Sequence, residues 1–431
     1  MRFADALAYL DDHASYEKTG RVTSPSTDTI ERLVSVLGNP ETDYRVIHVT
    51  GTNGKGSTSQ IITRLLVAHG LRVGTYSSPH LQDIRERIQI DGVPVSERDF
   101  ADAVFAVANA EVIAGVRPTY FEIVTAAAFR CFSDNAVDVA VVEVGMLGRW
   151  DATNVVHSDV AVVTNVAYDH MEFAGPTLED IAREKAGIVK DDCALVVGET
   201  DPSLVAVFAS QANGPARIRD EDFSVVDNHL ALGGRSLHLR TTRADYPELF
   251  LPLHGRHQGD NAVVALAAVE EFFDAALAPD TVAEGFSRVV MPGRFEVVGY
   301  QPLVILDGAH NPAGADVCAD VFFSDFDPSG RRILVVGSVG TRDLGDTLSA
   351  LRADEFDEVI CCTAPSPRAR AAGEVAAAAT RLGCDNVTVV ETVASACDRA
   401  LRDASSDDAV LVAGSLYVVG AARSHLGRVL P

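Results

Sequence analysis

An apolar, strand-like run at residues 44–50 (YRVIHVT) passes straight into Gly51-Thr-Asn-Gly-Lys-Gly-Ser-Thr58, after which residues 57–69 carry apolar side chains at helical spacing until Gly70. A strand, a glycine-rich turn and a helix in that order commit the chain to an α/β fold. The turn also has the parts of a phosphate cradle: glycines let backbone N–H groups crowd around an anion, the helix N-terminus adds its dipole, and Lys55 can bridge terminal phosphates. The match to the general phosphate-binding loop is incomplete. That pattern wants glycine at Val49 and a hydroxyl directly after the lysine, where Gly56 stands, so Ser57 and Thr58 must offer the metal-binding hydroxyl one place later. A merely tight turn would need neither the lysine nor the hydroxyls.

The alternation continues. Strand-like runs at residues 72–77, 137–144, 160–165 and 194–198 are separated by helical stretches such as 121–133 and 178–187, the pattern of a mainly parallel sheet covered on both faces. Residues 218–251 break into short, turn-rich segments that suit a small antiparallel side sheet, and a helix resumes at 261–275. MPGR at residues 291–294 reads as a hinge. Strands return at 303–307, 332–336, 358–363, 387–390 and 409–413, giving a second, doubly wound α/β domain. The expected boundaries are therefore residues 1–294 and 295–431, in keeping with a length beyond what one core usually organises.

Composition narrows the setting. No apolar run approaches the ~18 residues that span a bilayer, and the N-terminus brings in acids where a signal peptide would be basic and then apolar. A cytoplasmic protein without a membrane partner is expected. The formal charge of −25, from 36 basic and 61 acidic residues, repels nucleic acid. Only four lysines occur, Lys18, Lys55, Lys185 and Lys190. An acidic, lysine-poor surface suits a salt-rich cytosol, as in a halophile; an ordinary acidic enzyme from a GC-rich genome is the alternative. Seven scattered cysteines without metal-type pairs fit reduced core thiols.

GTNGKGST followed by SSPHL at residues 77–81 resembles the folylpolyglutamate synthase and dihydrofolate synthase family of the Mur-ligase superfamily. Further phrases in the family's order are RERIQIDG from Arg85, TYFEIVTAAAF from Thr119, EVGMLGRWDATN from Glu143, Asp169-His170, IAREKAGIVK from Ile181, HQGDNA from His257, MPGRFE from Met291, DGAHNP from Asp307 and AGSLYVVG from Ala413. The resemblance spans nearly the whole chain. It implies a Mur-ligase-type ATPase domain with a phosphate-binding loop, followed by a Rossmann-like domain. It also implies an ATP-dependent ligase that joins L-glutamate to the carboxylate of dihydropteroate or a reduced folate.

In such a ligase ATP phosphorylates the acid and the glutamate amine attacks the acyl phosphate, so the protein's part is electrostatic and positional. By resemblance, Thr52, Asn53, Gly54, Lys55, Gly56 and Ser57 hold the phosphates. Ser57, Ser78, Glu143 and His170 are similar to the ligands of two Mg2+ sites, and Lys185 corresponds to a lysine that the superfamily can carbamylate. Lys55, Glu143, His170 and Lys185 form the implied catalytic set. Asn261 resembles the adenine or ribose contact from the first domain, Arg294 the cation at the hinge reaching the phosphates, and Asp307 with His310 the contacts from the second domain, which is expected to close over the nucleotide. Thr119, Tyr120, Phe121 and Glu122, with Trp150, Asp151 and Ala152, lie where the family binds the pterin. K+ is a further expected cation, and a monomer the expected state.

Two departures bear on the acceptor. The family commonly has two glycines where Leu147-Gly148 stands, and a leucine-like residue at Trp150. Leu147 adds a side chain where the backbone needs positive φ or close approach. Other readings stay open at this level: a Mur-type amide ligase for another pterin-like or cell-wall acid, or a nucleotide-driven switch that only hydrolyses ATP. SSPHL and TYFE speak against a cell-wall acid, and the set Glu143, His170 and Lys185 against a switch.

Overall fold

The structure is a computed structural model, described here for residues 1–19, 26–340 and 343–429. The chain forms two compact units, one built mainly on residues 1–290 and the other on Met291–Pro431 with the short segment Leu253–Gly255.

The first unit carries an eight-stranded sheet. Six strands run parallel in the spatial order Val73–Tyr76, Val139–Glu143, Arg45–Thr50, Val160–Val163, Ala194–Val197, Ala216–Ile218. A hairpin, Ile88–Ile90 with Val93–Pro94, extends the sheet antiparallel beside Val73–Tyr76. Arg45–Thr50 lies at the centre and is buried from Val46 onward, so its apolar run needs no alternation. Helices Lys55–Ala68 and His257–Phe273 cover one face. On the other, Phe3–Asp11, Asp28–Val36, Glu97–Ala114 and Tyr120–Asp134 gather one core with Val46, Tyr76, Ala140 and Val142. A separate antiparallel sheet of Phe223–Ala231, Gly234–Thr241 and Asp245–Leu251 occupies the segment expected to be turn-rich.

The second unit is a six-stranded sheet in the order Glu296–Tyr300, Leu303–Leu306, Ala409–Ala413, Arg332–Val336, Glu358–Thr363, Val387–Thr392. Only the first pair is antiparallel. The change of unit falls between Val290 and Met291, at the start of MPGR. Within the second unit Gly308 donates to the Gly293 carbonyl at 2.8 Å, and Phe295 donates to Asp307 Oδ2 at 2.8 Å.

All seven cysteines are buried and none is in a disulfide. Among the described residues no helix is long and apolar enough to cross a membrane.

Candidate active site

Strand Arg45–Thr50 delivers the glycine-rich loop to the start of helix Lys55–Ala68. Gly51 and Gly54 both adopt positive φ, +150° and +82°. A Cβ on Gly51 would fall 1.8 Å from Thr164 Oγ1, and one on Gly54 2.3 Å from Asn261 Oδ1. Glycine is therefore required at both places, which is how the backbone can be drawn so close to Thr164 and Asn261. Lys55, the first residue of the helix, folds its ammonium back onto the carbonyls of Gly51 (3.1 Å) and Thr52 (3.3 Å). Ser57, two residues further on, is buried, Gly56 is half-buried, and the hydroxyls of Thr58 and Ser59 are buried without a hydrogen-bond partner.

The loop is held from the neighbouring strand. Thr52 donates its N–H to the Asn165 carbonyl at 3.0 Å, and its hydroxyl accepts from Ala167 N at 3.0 Å and donates to Ala167 O at 3.2 Å. Asn53 N donates to Asn165 Oδ1 at 2.9 Å, while Thr164 Oγ1 donates to Asn53 O at 2.6 Å. Thr164 and Asn165 stand outside the site residues expected from the motifs. Their signal was available in TN at a strand end, four residues before Asp169-His170.

Glu143 ends the strand paired with Arg45–Thr50, opposite Val49. Its side chain is buried, and Oε2 accepts from Ser78 N at 3.4 Å, so SSPHL and EVGML meet here. His170 takes a left-handed backbone, φ +53°, at the start of the short helix Met171–Ala174, with Nε2 3.7 Å from Asp169 Oδ2. Lys185 closes helix Leu178–Lys185 and is only 3% exposed. Burial first, and then the charge of Lys55, push its ammonium well below the ordinary lysine range, with Asp169 acting the other way. The lysine is thus a neutral, nucleophilic amine at a lower pH than an exposed one. The buried carboxylate and the two serine hydroxyls are oxygen donors of the kind magnesium takes, and a single imidazole can be accommodated beside them although it is not the preferred donor. Among the described residues no group of three or more His, Cys, Asp or Glu side chains gathers around one point.

On the opposite flank Thr119 and Glu122 form a capping box at helix Tyr120–Asp134: Thr119 N and Oγ1 each donate to Glu122 Oε2 at 2.7 Å, and Glu122 N returns to Thr119 Oγ1 at 3.3 Å. The pair thereby fixes where the helix starts. Tyr120 is buried, with the Arg87 guanidinium 5.5 Å from its ring centre. Phe121 packs on Tyr76 at 6.1 Å and leaves Gly145 no room for a Cβ, which would lie 2.4 Å from Phe121 Cζ. Trp150 is 52% exposed, whereas Asp151 and Ala152 are buried. Leu147 takes φ +58° and Gly148 lies where a Cβ would stand 2.8 Å from the Lys185 carbonyl. The departure noted at these two positions therefore sits on a left-handed residue and a close approach.

Asn261, in helix His257–Phe273, holds its amide against Gly54 and donates to Gln258 Oε1 at 2.9 Å. In the second unit Asp307 is half-buried and accepts from Phe295 N and Ala309 N, both at 2.8 Å. Burial raises its carboxyl above the ordinary range, while Arg294 opposes the rise. Arg294 Nη1 lies 3.3 Å from the Cβ that Gly308 would carry, and His310 Nδ1 lies 2.9 Å from Gly308 O. Arg294, Asp307 and His310 thus form one cluster.

Fold and site define the class: residues 49–269 match the Mur ligase middle domain, and residues 293–416 the Mur ligase glutamate ligase domain. The dihydrofolate synthase/folylpolyglutamate synthase of Mycobacterium tuberculosis is 38% identical, over 94% of this chain and 90% of its own length. The solved structure of Escherichia coli FolC in complex with DHPP and ADP superposes with a TM-score of 0.88 at 31% identity, covering 100% of this chain and 99% of the other. A bifunctional folylpolyglutamate synthase/dihydrofolate synthase solved with Mn, AMPPNP and L-glutamate gives 0.85 at 32% identity, covering 99% and 98%. The chain belongs to the dihydrofolate synthase/folylpolyglutamate synthase family of Mur ligases.

Proposed function

We propose that this chain is an ATP-dependent ligase that adds L-glutamate to the carboxylate of a folate-type acceptor, dihydropteroate or a reduced folate, through an acyl phosphate. The observation that carries the reading is the phosphate loop together with two buried ionisable groups, Glu143 and Lys185. The complexes of relatives with ADP, DHPP and L-glutamate support the same substrates.

In this reading the N–H groups of residues 54–57 and the Lys55 ammonium bind the nucleotide phosphates on a loop whose shape Thr52 and Asn53 hold through Asn165, with Asn261 against the loop and Arg294, Asp307 and His310 supplying further contacts. Mg2+, held by Ser57, Ser78, Glu143 and His170, would neutralise charge as the γ-phosphoryl group passes to the acceptor carboxylate. The chain's own part is to keep the acceptor oxygen, the phosphorus and the leaving oxygen in line and to exclude water from the acyl phosphate. The glutamate amine then attacks the acyl carbon, the C–O bond to phosphate breaks, and the amide, ADP and phosphate leave. Neutral Lys185 can attack carbon dioxide, forming an N–C bond and releasing a proton, to give a carbamate that positions a second metal ion. Tyr120, Phe121, Trp150, Asp151 and Ala152 are the residues that receive the pterin in this reading. The acidic, lysine-poor composition supports work in a salt-rich cytosol with K+ as the main counter-ion.

The test is ADP release in potassium chloride with Mg2+, ATP and glutamate, comparing dihydropteroate, a tetrahydrofolate and no acceptor, with mass spectrometry of the products. Release that needs both glutamate and an acceptor, with one glutamyl mass added, is the expected outcome. Acceptor-independent hydrolysis, or silence with both acceptors, overturns the reading.

A further inference from the structure

His48 and Thr50 lie on one face of the central strand Arg45–Thr50, and neither has any exposed surface. Buried polar groups in a sheet centre are costly unless they are bonded, so their partners show what they hold. Thr50 Oγ1 donates to the Leu147 carbonyl at 2.5 Å. His48 Nε2 lies 2.9 Å from Thr153 Oγ1, and Thr153 Oγ1 donates to Asp151 Oδ1 at 2.6 Å. The single hydroxyl hydrogen of Thr153 is committed to the carboxylate, which leaves His48 as the donor of the first bond and puts its proton on Nε2. Nδ1 is then a bare acceptor, and it is buried without a hydrogen-bond partner. Burial first, and then the charge of Lys190, bring the imidazole down to about 3, so this donor state is constant across neutral pH.

The chain of bonds ends on the loop after Glu143. Asp151 also accepts from Thr153 N at 3.0 Å and from Met146 N at 2.8 Å. The left-handed Leu147 and Trp150 stand between those anchors, and Gly145, against the Phe121 ring, stands just before them. The phosphate loop is tied elsewhere, to Thr164, Asn165 and Ala167.

We propose that His48, Thr153 and Asp151 form a buried relay that, with Thr50, sets the shape of the loop at residues 144–151 for the acceptor, and that His48 is a positioning residue for the acceptor and not for ATP. The acceptor half of this statement rests on the ligase reading above. The relay itself does not.

Trp150 is the chain's one tryptophan, and it stands in this loop, so its fluorescence reports the loop directly. The experiment compares the full native chain with His48→Ala, Thr153→Val and His48→Gln, whose amide reaches about as far as Nε2. Three quantities are read: Trp150 emission without ligand, quenching on titration with dihydropteroate, and KM for dihydropteroate and for ATP in the ADP-release assay. His48→Ala and Thr153→Val are expected to shift the emission and to raise the dihydropteroate Kd and KM tenfold or more, with KM for ATP within twofold. His48→Gln should bring the dihydropteroate values back to within threefold of native. Unchanged dihydropteroate constants in both relay-cutting variants, or an equal rise in KM for ATP, overturns the proposal. Thr153→Val keeps the side-chain volume and covers the case in which His48→Ala does not fold. A native chain without acceptor-dependent turnover would count against the ligase reading; unaltered Trp150 emission in the relay variants would count against the relay.

Discussion

The hydroxyl of Thr164 donates to the backbone carbonyl of Asn53 at 2.6 Å, and it stands where a Cβ on Gly51 would have to go. One side chain thus fixes the phosphate loop and excludes any other residue at Gly51. Thr164→Val keeps the shape and deletes the bond, leaving a part-buried carbonyl unsatisfied at a cost of about 1–3 kcal/mol. ADP affinity measured by calorimetry should fall roughly tenfold, the equivalent of about 1.4 kcal/mol. An unchanged affinity would mean that the loop keeps its shape without the latch.

Lys185 is buried beside Lys55 and Asp169, and its ammonium is destabilised by burial and then by Lys55. A depressed amine loses its proton below the ordinary lysine value of about 10.4, which opens reaction with carbon dioxide nearer neutral pH. Lys185→Ala should abolish turnover while ADP still binds. Carbon-13 bicarbonate should give a carbamate resonance in the native chain that is missing in the variant, and bicarbonate should restore activity lost in carbon-dioxide-free buffer. Near-normal turnover in Lys185→Ala would remove the carbamate from the account.

Gly148 admits no side chain, because a Cβ would stand 2.8 Å from the Lys185 carbonyl and 2.9 Å from that of Glu184. Both obstacles are backbone at the end of the helix that presents Lys185. Gly148→Ala should therefore displace that helix end, costing about 1–3 kcal/mol of stability and lowering kcat at least tenfold with ADP affinity little changed. A variant with native kcat would show that Lys185 tolerates the displacement.

The parallel strands, the side sheet and the second α/β unit could be read from alternation because each strand is a short apolar run between turn signals. The hairpin Ile88–Ile90 with Val93–Pro94 was not visible, since runs of three and two residues carry no period. At the site, motif residues were legible where chemistry demands a rare type, such as Lys55 and Lys185 in a chain of four lysines. Thr119 and Glu122 looked like acceptor contacts, and the structure adds a local duty, the capping box. Thr164, Asn165, His48 and Thr153 were passed over because their roles depend on which strands become neighbours. A histidine inside VIHVT reads as one polar residue in a core strand until Thr153 is placed 2.9 Å away.

His48 also gives a pH dependence. Its folded value, brought to about 3, lies below the unfolded value of about 6.5. The unfolded chain therefore binds a proton that the native chain refuses, and the stability from neutral His48 is full above about pH 6.5 and is lost as pH falls toward 3. His48→Gln has no such group. Urea midpoints at pH 7 and pH 5 should differ more for the native chain than for His48→Gln; equal differences would place the acid sensitivity elsewhere.

The ligase account depends on an acyl phosphate, and the fate of one oxygen atom tests it most directly. Dihydropteroate labelled with oxygen-18 in its carboxylate is incubated with the chain, ATP, Mg2+ and glutamate, and the inorganic phosphate is analysed by mass spectrometry. The account predicts one labelled oxygen in each phosphate released with the amide, because the acid's own oxygen leaves on phosphorus. Phosphate free of label, alongside amide product, would contradict it.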